Sequence, residues 1–297
     1  MPVKTVLSID GGGICGVFSH QILNKIARVP TFHADLIVGV SAGAIVGALL
    51  ASGLLETVDD ETIRRCTTQS LSGTSVKGPW FGPKYTGVTK SDVLHSIFGD
   101  IRFGDLHVPM AILVDRIENT PELCRSWDPE YRDIPLVQIL DATSAVPVLF
   151  PPVTINGQQY IDGGTVSSSP ICIAHLAALE LFDQDKLSVI SIGTADRYST
   201  ANPKQSGIRF ENNDMGIIQL ISLGLPLKVM TQGSTLVNEM SKKLLCPRFI
   251  RIEGNLVARL DDASMFDACV VEAKIVWDRM EHSIAGFISR NIETDGR

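Results

Sequence analysis

The chain has 297 residues, 44% of them hydrophobic, with 26 basic and 33 acidic side chains and a formal net charge of −7. That balance argues against nucleic acid as a partner and against general attraction to anionic membrane surfaces. No Pro/Ser-rich linker, charge block or internal repeat divides the chain, so one domain over residues 1–297 is expected, with the hydrophobic content of a soluble globular enzyme.

The N-terminus lacks the basic, apolar, small-residue pattern of a secretory leader. Cys15, Cys66, Cys124, Cys172, Cys246 and Cys269 form no C-x-x-C pair. They read as isolated reduced thiols, which implies a cytoplasmic setting and no structural zinc.

The first predicted strand, Val3–Ile9, runs into Asp10-Gly11-Gly12-Gly13-Ile14-Cys15-Gly16, and a helical pattern follows with Phe18, Ile22, Ile26 and Val29 at spacings of three and four. Successive glycines between a strand and a helix leave backbone N–H groups bare at the positive end of the helix, an anion-binding arrangement. A serine hydrolase needs such a place for the oxyanion of its tetrahedral intermediate. Gly11 to Gly16 also satisfy GxGxxG, with Asp35 at about the distance of a ribose-binding acid, so a nucleotide- or anion-binding module is a second reading. Against it, Asp35 precedes the next apolar run, whereas a ribose acid sits at the far end of its strand.

That run, Leu36-Ile37-Val38, leads into Gly39-Val40-Ser41-Ala42-Gly43 and a helix-forming stretch, Ala44–Ala51. Strand, sharp turn and helix around GxSxG form a nucleophile elbow that leaves the serine hydroxyl exposed. A serine capping a buried strand-to-helix joint is the plainer alternative. Leu36–Leu55 is uncharged, but its glycines and unflanked ends favour a buried strand and helix over a membrane span. Residues 66–89 read as irregular, with Trp80, Phe81 and Tyr85 available as a lid, an acyl entrance or ordinary loop anchors. Further along, Met110–Val114 reads as a strand and Asp133–Leu140 as a helix start. Gln158–Ile161 reads as a strand ending in Asp162-Gly163-Gly164. Asp-Gly is commonly a simple turn, but a serine nucleophile needs a base, and a carboxylate in a dry site can serve. Leu187–Ile192 reads as a buried strand. Met215–Leu245, interrupted at Pro226, and Asp262–Ile288, striped by Phe266, Val270, Ala273 and Val276, read as helices. Alternating strands and helices imply a three-layer α/β fold whose mainly parallel sheet is flanked by helices, with the glycine loop, the elbow and the Asp turn at its carboxyl edge.

The Asp10–Gly13 opening, GxSxG at 39–43 and Asp162-Gly163-Gly164, in that order, resemble the patatin-like phospholipases. Asp141–Pro147 with Phe150-Pro151-Pro152, and Ser191–Thr194, are similar to that family too, so the resemblance is clearest over residues 3–194; residues 195–297 are a mostly helical remainder expected to pack on the same domain. The resemblance implies a lipid acyl hydrolase, a phospholipase A or lysophospholipase-like esterase, with Ser41 as nucleophile and Asp162 as base. Gly11, Gly12 and Gly13 would form the oxyanion loop, and Gly16, Gly39, Gly43, Gly163 and Gly164 would complete the motifs. It implies an acyl-serine intermediate, no metal or organic cofactor, a lipid or fatty-acyl ester substrate, and transient contact with membrane surfaces. One departure is Cys15, where many members carry Arg or Lys. It leaves the headgroup preference open, with Arg64, Arg65 and Lys84 as cations that can reach such a place. The rival enzyme is a Ser–His–Asp carboxylesterase using His175 or His282, which both follow Asp162 in the chain.

Overall fold

The computed structural model describes residues 3–74, 82–118, 120–194, 238, 240, 241, 245, 248–256 and 259–293. Strand β1 (Lys4–Ile9) passes through a 3-10 turn (Gly13–Cys15) into helix α1 (Gly16–Ala27), and β2 (Leu36–Val40) runs into α2 (Ala42–Ala51). Helices α3 (Asp60–Ser70) and α4 (Val88–Phe98) follow, then β3 (Met110–Arg116), β4 (Glu122–Arg125), α5 (Leu136–Thr143), β5 (Val153–Ile155) and β6 (Gln158–Asp162). The described elements end with α6 (Ile171–Leu181), β7 (Leu187–Ile192), β8 (Phe249–Ile252) and α7 (Phe266–Glu293).

All eight strands join one sheet in the order β5-β6-β3-β2-β1-β7-β8, with β4 also paired to β3. The strands from β3 through β2, β1 and β7 to β8 are parallel. At the other end, β4 and β6 run antiparallel to β3, and β5 antiparallel to β6. The fold is thus the expected mostly parallel sheet between helical layers, with a mixed edge that the sequence pattern did not announce.

Strands β2 and β7 are buried at every position, and their near-continuous apolar runs are what a sheet covered on both faces requires. The period of two divides the side chains cleanly. Leu7, Ile9, Ile37, Ile190 and Ile192 join the core beneath α1, α2 and α7. Val6, Leu36, Val38, Ala111 and Val189 pack against Ile171, Ala174 and Ala178 of α6 on the other face. The Leu36–Leu55 stretch is β2 followed by α2, and among the described residues no helix is long and apolar enough to cross a membrane.

One expectation needs correction. Residues 66–89 are not uniformly irregular. Helix α3 continues through Ser70, because Asp59 caps it by accepting the Thr62 N–H at 2.8 Å, and Asp60 and Glu61 complement its positive end. Helix α4 begins at Val88. Trp80 and Phe81 of the supposed lid lie outside the described residues, as does most of the expected helix Met215–Leu245 with Pro226. Within residues 195–297, β8 extends the sheet beside β7. Helix α7 follows its stripe at Phe266, Ala273 and Val276, which are buried, whereas Val270 is partly buried and Cys269 is fully buried in its place; the helix packs on α1.

Gly43 shows how tightly α2 is pressed on β1. A Cβ there would lie 2.3 Å from the Asp10 carbonyl oxygen and 2.5 Å from that of Ile9. Gly43→Ala is expected to destabilise by about 2–4 kcal/mol through forced backbone displacement. Gly286→Ala on α7, where a Cβ meets nothing within 4 Å, should instead stabilise by up to about 1 kcal/mol. Urea midpoints of the two variants measure the contrast.

Candidate active site

Between β2 and α2 the chain turns in one residue, Ser41, which takes φ 53° and ψ −130°. A non-glycine residue there costs on the order of 1–3 kcal/mol. Its surroundings fix it. A Cβ at Gly39 would lie 2.6 Å from the Ala44 Cα, so glycine is what lets the strand end meet the helix start. The Ser41 N–H donates to Thr143 Oγ1 at 2.9 Å, and the Thr143 hydroxyl donates in turn to the Leu113 carbonyl at 2.6 Å. The C-terminal turn of α5 thus ties the elbow to β3.

Asp162 reaches the same place from an antiparallel strand. Val40 pairs with Leu113 across β2 and β3, and Val114 pairs with Asp162 across β3 and β6. Ser41 and Asp162 therefore flank β3 at neighbouring levels. The Ser41 hydroxyl donates to Asp162 Oδ2 at 2.6 Å, the Gly164 N–H donates to Oδ1 at 2.6 Å, and the Asp162 N–H donates to the Ala145 carbonyl at 3.0 Å. The carboxyl is only 1% exposed. Burial pushes its pKa up to about 6, while the two hydrogen bonds and the charge of Lys90 restrain the rise.

The glycine loop closes over this pair. A narrow crevice is lined by Gly11, Gly12, Gly13, Ser41, Asp162 and Gly164. Gly11 does not fit the donor role expected of it, because its N–H is already given to the Ser168 carbonyl at 2.8 Å. No hydrogen bond among the described residues occupies the N–H of Gly12 or Gly13. The loop is held from outside by the Asp10 carboxylate, which accepts from Arg251 of β8 at 2.5 Å. Arg251 also donates to Ser191 at 2.7 Å and Glu253 at 3.2 Å. Thr194 Oγ1 lies 3.2 Å from the Gly11 carbonyl, and the Ile14 N–H donates to Leu260 at 2.9 Å. Cys15, where a cation was considered, is buried in the hydrophobic core.

On its other side Ser41 opens onto an apolar cavity of about 170 Å³, walled by Ile45 and Leu49 of α2, Leu94 and Ile97 of α4, and Val146 and Phe150. Its charged wall residue is Lys90, which the sequence reading missed; a lysine in the first turn of a helix, against the dipole, was the available signal. Arg64 pairs instead with Asp267, Lys84 pairs with Asp261, and Arg65 is exposed. Neither candidate histidine meets Ser41 or Asp162. His175 lies on α6, across the sheet from the cavity, and His282 is exposed on α7. His20 does line the cavity, but its ring bonds Asn24 at 3.0 Å. Asp35 sits at the opposite edge of the sheet, accepting from Lys4 and the Thr5 N–H at 2.8 Å each, so the glycine loop has no ribose acid beside it.

With this geometry in place, comparison with known sequences identifies the family. The sequence model of the patatin-like phospholipases matches residues 7–175, more than half of the chain, and the protein belongs to that family. Patatin-like protein 1 of Arabidopsis thaliana is 27% identical over 271 residues, covering 69% of this chain and 63% of its own length. Patatin group D-2 of Solanum tuberosum is 28% identical over 240 residues, covering 64% and 60%. A cGAMP-activated phospholipase of Pseudomonas aeruginosa is 26% identical over 184 residues, covering 57% and 55%. The chain thus spans less than two thirds of the length of these curated relatives. Among solved structures, VipD from Legionella pneumophila matches with a TM-score of 0.46 at 12% identity, over 94% of this chain and 67% of that one.

The Asp162 environment has a measurable consequence for stability. Its folded pKa, about 6, lies above the ordinary value of 3.8. Folding therefore favours the protonated form: the wild type is relatively most stable below about pH 4 and loses that advantage as pH rises through about 6. Asp162→Asn removes the buried charge and keeps an oxygen for Gly164. It is expected to melt a few degrees above wild type at pH 8, a gain on the order of 3 kcal/mol at most, with the gap closing toward pH 4. Calorimetry across that range reads it.

Proposed function

We propose that the protein is a lipid acyl hydrolase, of the phospholipase A or lysophospholipase type, working through a Ser41–Asp162 dyad. The observation that carries the proposal is the 2.6 Å hydrogen bond to the buried Asp162 carboxylate from the hydroxyl of Ser41, which itself lines an apolar cavity. Family membership supports the same chemistry.

Asp162, ionised, takes the hydroxyl proton as Ser41 Oγ attacks the ester carbonyl. The negative charge that develops on the carbonyl oxygen falls to the N–H groups of Gly12 and Gly13, worth roughly 3–4 kcal/mol per donor in such sites. Asp162 returns the proton to the departing alcohol, leaving an acyl-serine. A water molecule then gives its proton to Asp162 and attacks the acyl carbon, and the fatty acid leaves as Ser41 recovers its hydrogen. The acyl chain would lie along Ile45, Leu49, Leu94 and Phe150. No step calls for a metal or organic cofactor. Val148, half exposed in the loop between cavity residues Val146 and Leu149, supports brief contact of the cavity mouth with a lipid surface. The acidic net charge leaves such contact to apolar groups. A cytoplasmic setting agrees with the cysteines of the described residues, none of which is disulfide-bonded.

A fluorophosphonate probe is expected to add its mass at Ser41, and Ser41→Ala is expected to lose both labelling and ester hydrolysis with a melting temperature near that of wild type. Because the base must be ionised, kcat/KM for p-nitrophenyl butyrate should be full above about pH 7 and fall tenfold per unit below about pH 6. Undiminished turnover by purified Ser41→Ala would end the reading.

A further inference from the structure

We propose that Lys90 is the positioning residue of the dyad: anchored on the C-terminal turn of α5, its ammonium supplies the positive field that keeps Asp162 an ionised base. The proposal rests on the Ser41–Asp162 reading above.

Nothing in local structure calls for a lysine at this position. Lys90 is the third residue of α4, where a cation opposes the helix dipole, and it is 5% exposed. Burial in an apolar wall disfavours its charge further. Three oxygens nevertheless hold it. Lys90 Nζ lies 2.9 Å from Asp141 Oδ1, and it donates to the Asp141 carbonyl at 2.9 Å and the Ser144 hydroxyl at 3.0 Å. It also sits 4.6 Å from the centroid of the Phe150 ring. These contacts fix the ammonium on the segment that holds both dyad residues: Thr143 accepts the Ser41 N–H, and Ala145 accepts the Asp162 N–H.

The charged group acting on Asp162 is Lys90, and those acting on Lys90 are Asp141 and Asp162. The other titratable groups lining the cavity are His20 of α1, whose pKa burial lowers, and Cys66 of α3, whose pKa burial raises. Both are thereby kept neutral near pH 7; the countercharge nearest the lysine is the Asp141 carboxylate, which with Asp162 opposes the lowering of the Lys90 pKa by burial.

A purely structural lysine, bracing the end of α5, would affect activity equally at every pH. An electrostatic one sets where activity begins. Lys90→Met alone would strand the Asp141 carboxylate, so the decisive protein is the double variant Lys90→Met/Asp141→Asn, with Lys90→Arg as the charge-conserving control. The measurement is kcat/KM for p-nitrophenyl butyrate from pH 5 to 9, with the rate of fluorophosphonate labelling at Ser41 over the same range. The double variant should move the acidic limb upward by about one pH unit. That makes it roughly fivefold slower than wild type at pH 6 while nearly matching it at pH 9, and Lys90→Arg should keep the limb within a few tenths of a unit. A folded double variant with an unmoved limb, or with a loss uniform in pH, overturns the proposal. Wild-type protein that fails to label at Ser41 would overturn the dyad reading beneath it, a result distinct from either.

Discussion

The site depends on the register of three strands. Ser41 and Asp162 are 121 residues apart in sequence, and no local preference brings them together. They meet because β2 and β6 flank β3, with Val40 opposite Leu113 and Asp162 opposite Val114. A slip of one residue in β6 would turn the carboxylate to the other face of the sheet. Gly163 guards against it: a Cβ there would lie 2.2 Å from the Leu113 carbonyl oxygen, so the turn after Asp162 sits directly on β3. Thr143 adds a second tie by bonding the elbow and β3 with one hydroxyl.

Several unfavourable features of the described residues are gathered at this edge. Ser41 holds a strained backbone, Asp162 a dry carboxyl, and Lys90 a buried ammonium at the wrong end of its helix. Val148 adds a β-branched residue at φ 73° in the loop over the cavity. Each costs stability alone, and each persists because β1, β2 and β7 form a dry, rigid frame that fixes the geometry around them. Departures from local preference of this kind are expected where a protein keeps a functional site.

The sequence disclosed what is local and hid what is distant. Continuous apolar runs announced β1, β2 and β7, and strand-to-helix punctuation at Gly11–Gly13 and Gly39–Gly43 announced both loops. The pairing of Ser41 with Asp162 was legible because three motifs fell in a recognisable order. The antiparallel approach of β6 was not, since a five-residue strand carries no sign of its direction. Gly11 could not be excluded as a donor until the Ser168 carbonyl was seen to occupy its N–H. Helix α3 was obscured by Thr67, Thr68 and Ser70, residues that favour turns in isolation, although Asp59 and Glu61 give the capping signal. Arg251 was invisible as a site residue because its partner lies 241 residues away, and Lys90 was marked by its place in the first turn of a helix alone.

Arg251 also shows why the matched segment, residues 7–175, does not build the site alone. The glycine loop follows β1 and takes its hold from three groups beyond that segment: Thr194, Arg251 and Leu260. Arg251 carries the electrostatic part. Its guanidinium and the Asp10 carboxylate are both 6% exposed, and either one left without the other would be an uncompensated buried charge, a loss of about 3–5 kcal/mol in comparable pairs. The glycine loop is fixed because Asp10 is pinned to β8 on one side and Leu260 closes against Ile14 on the other. The elbow is tied from α5 and the loop from β8, so two independent sets of contacts converge on one crevice. That convergence lines one crevice with Ser41, the Asp162 carboxyl and the glycine loop.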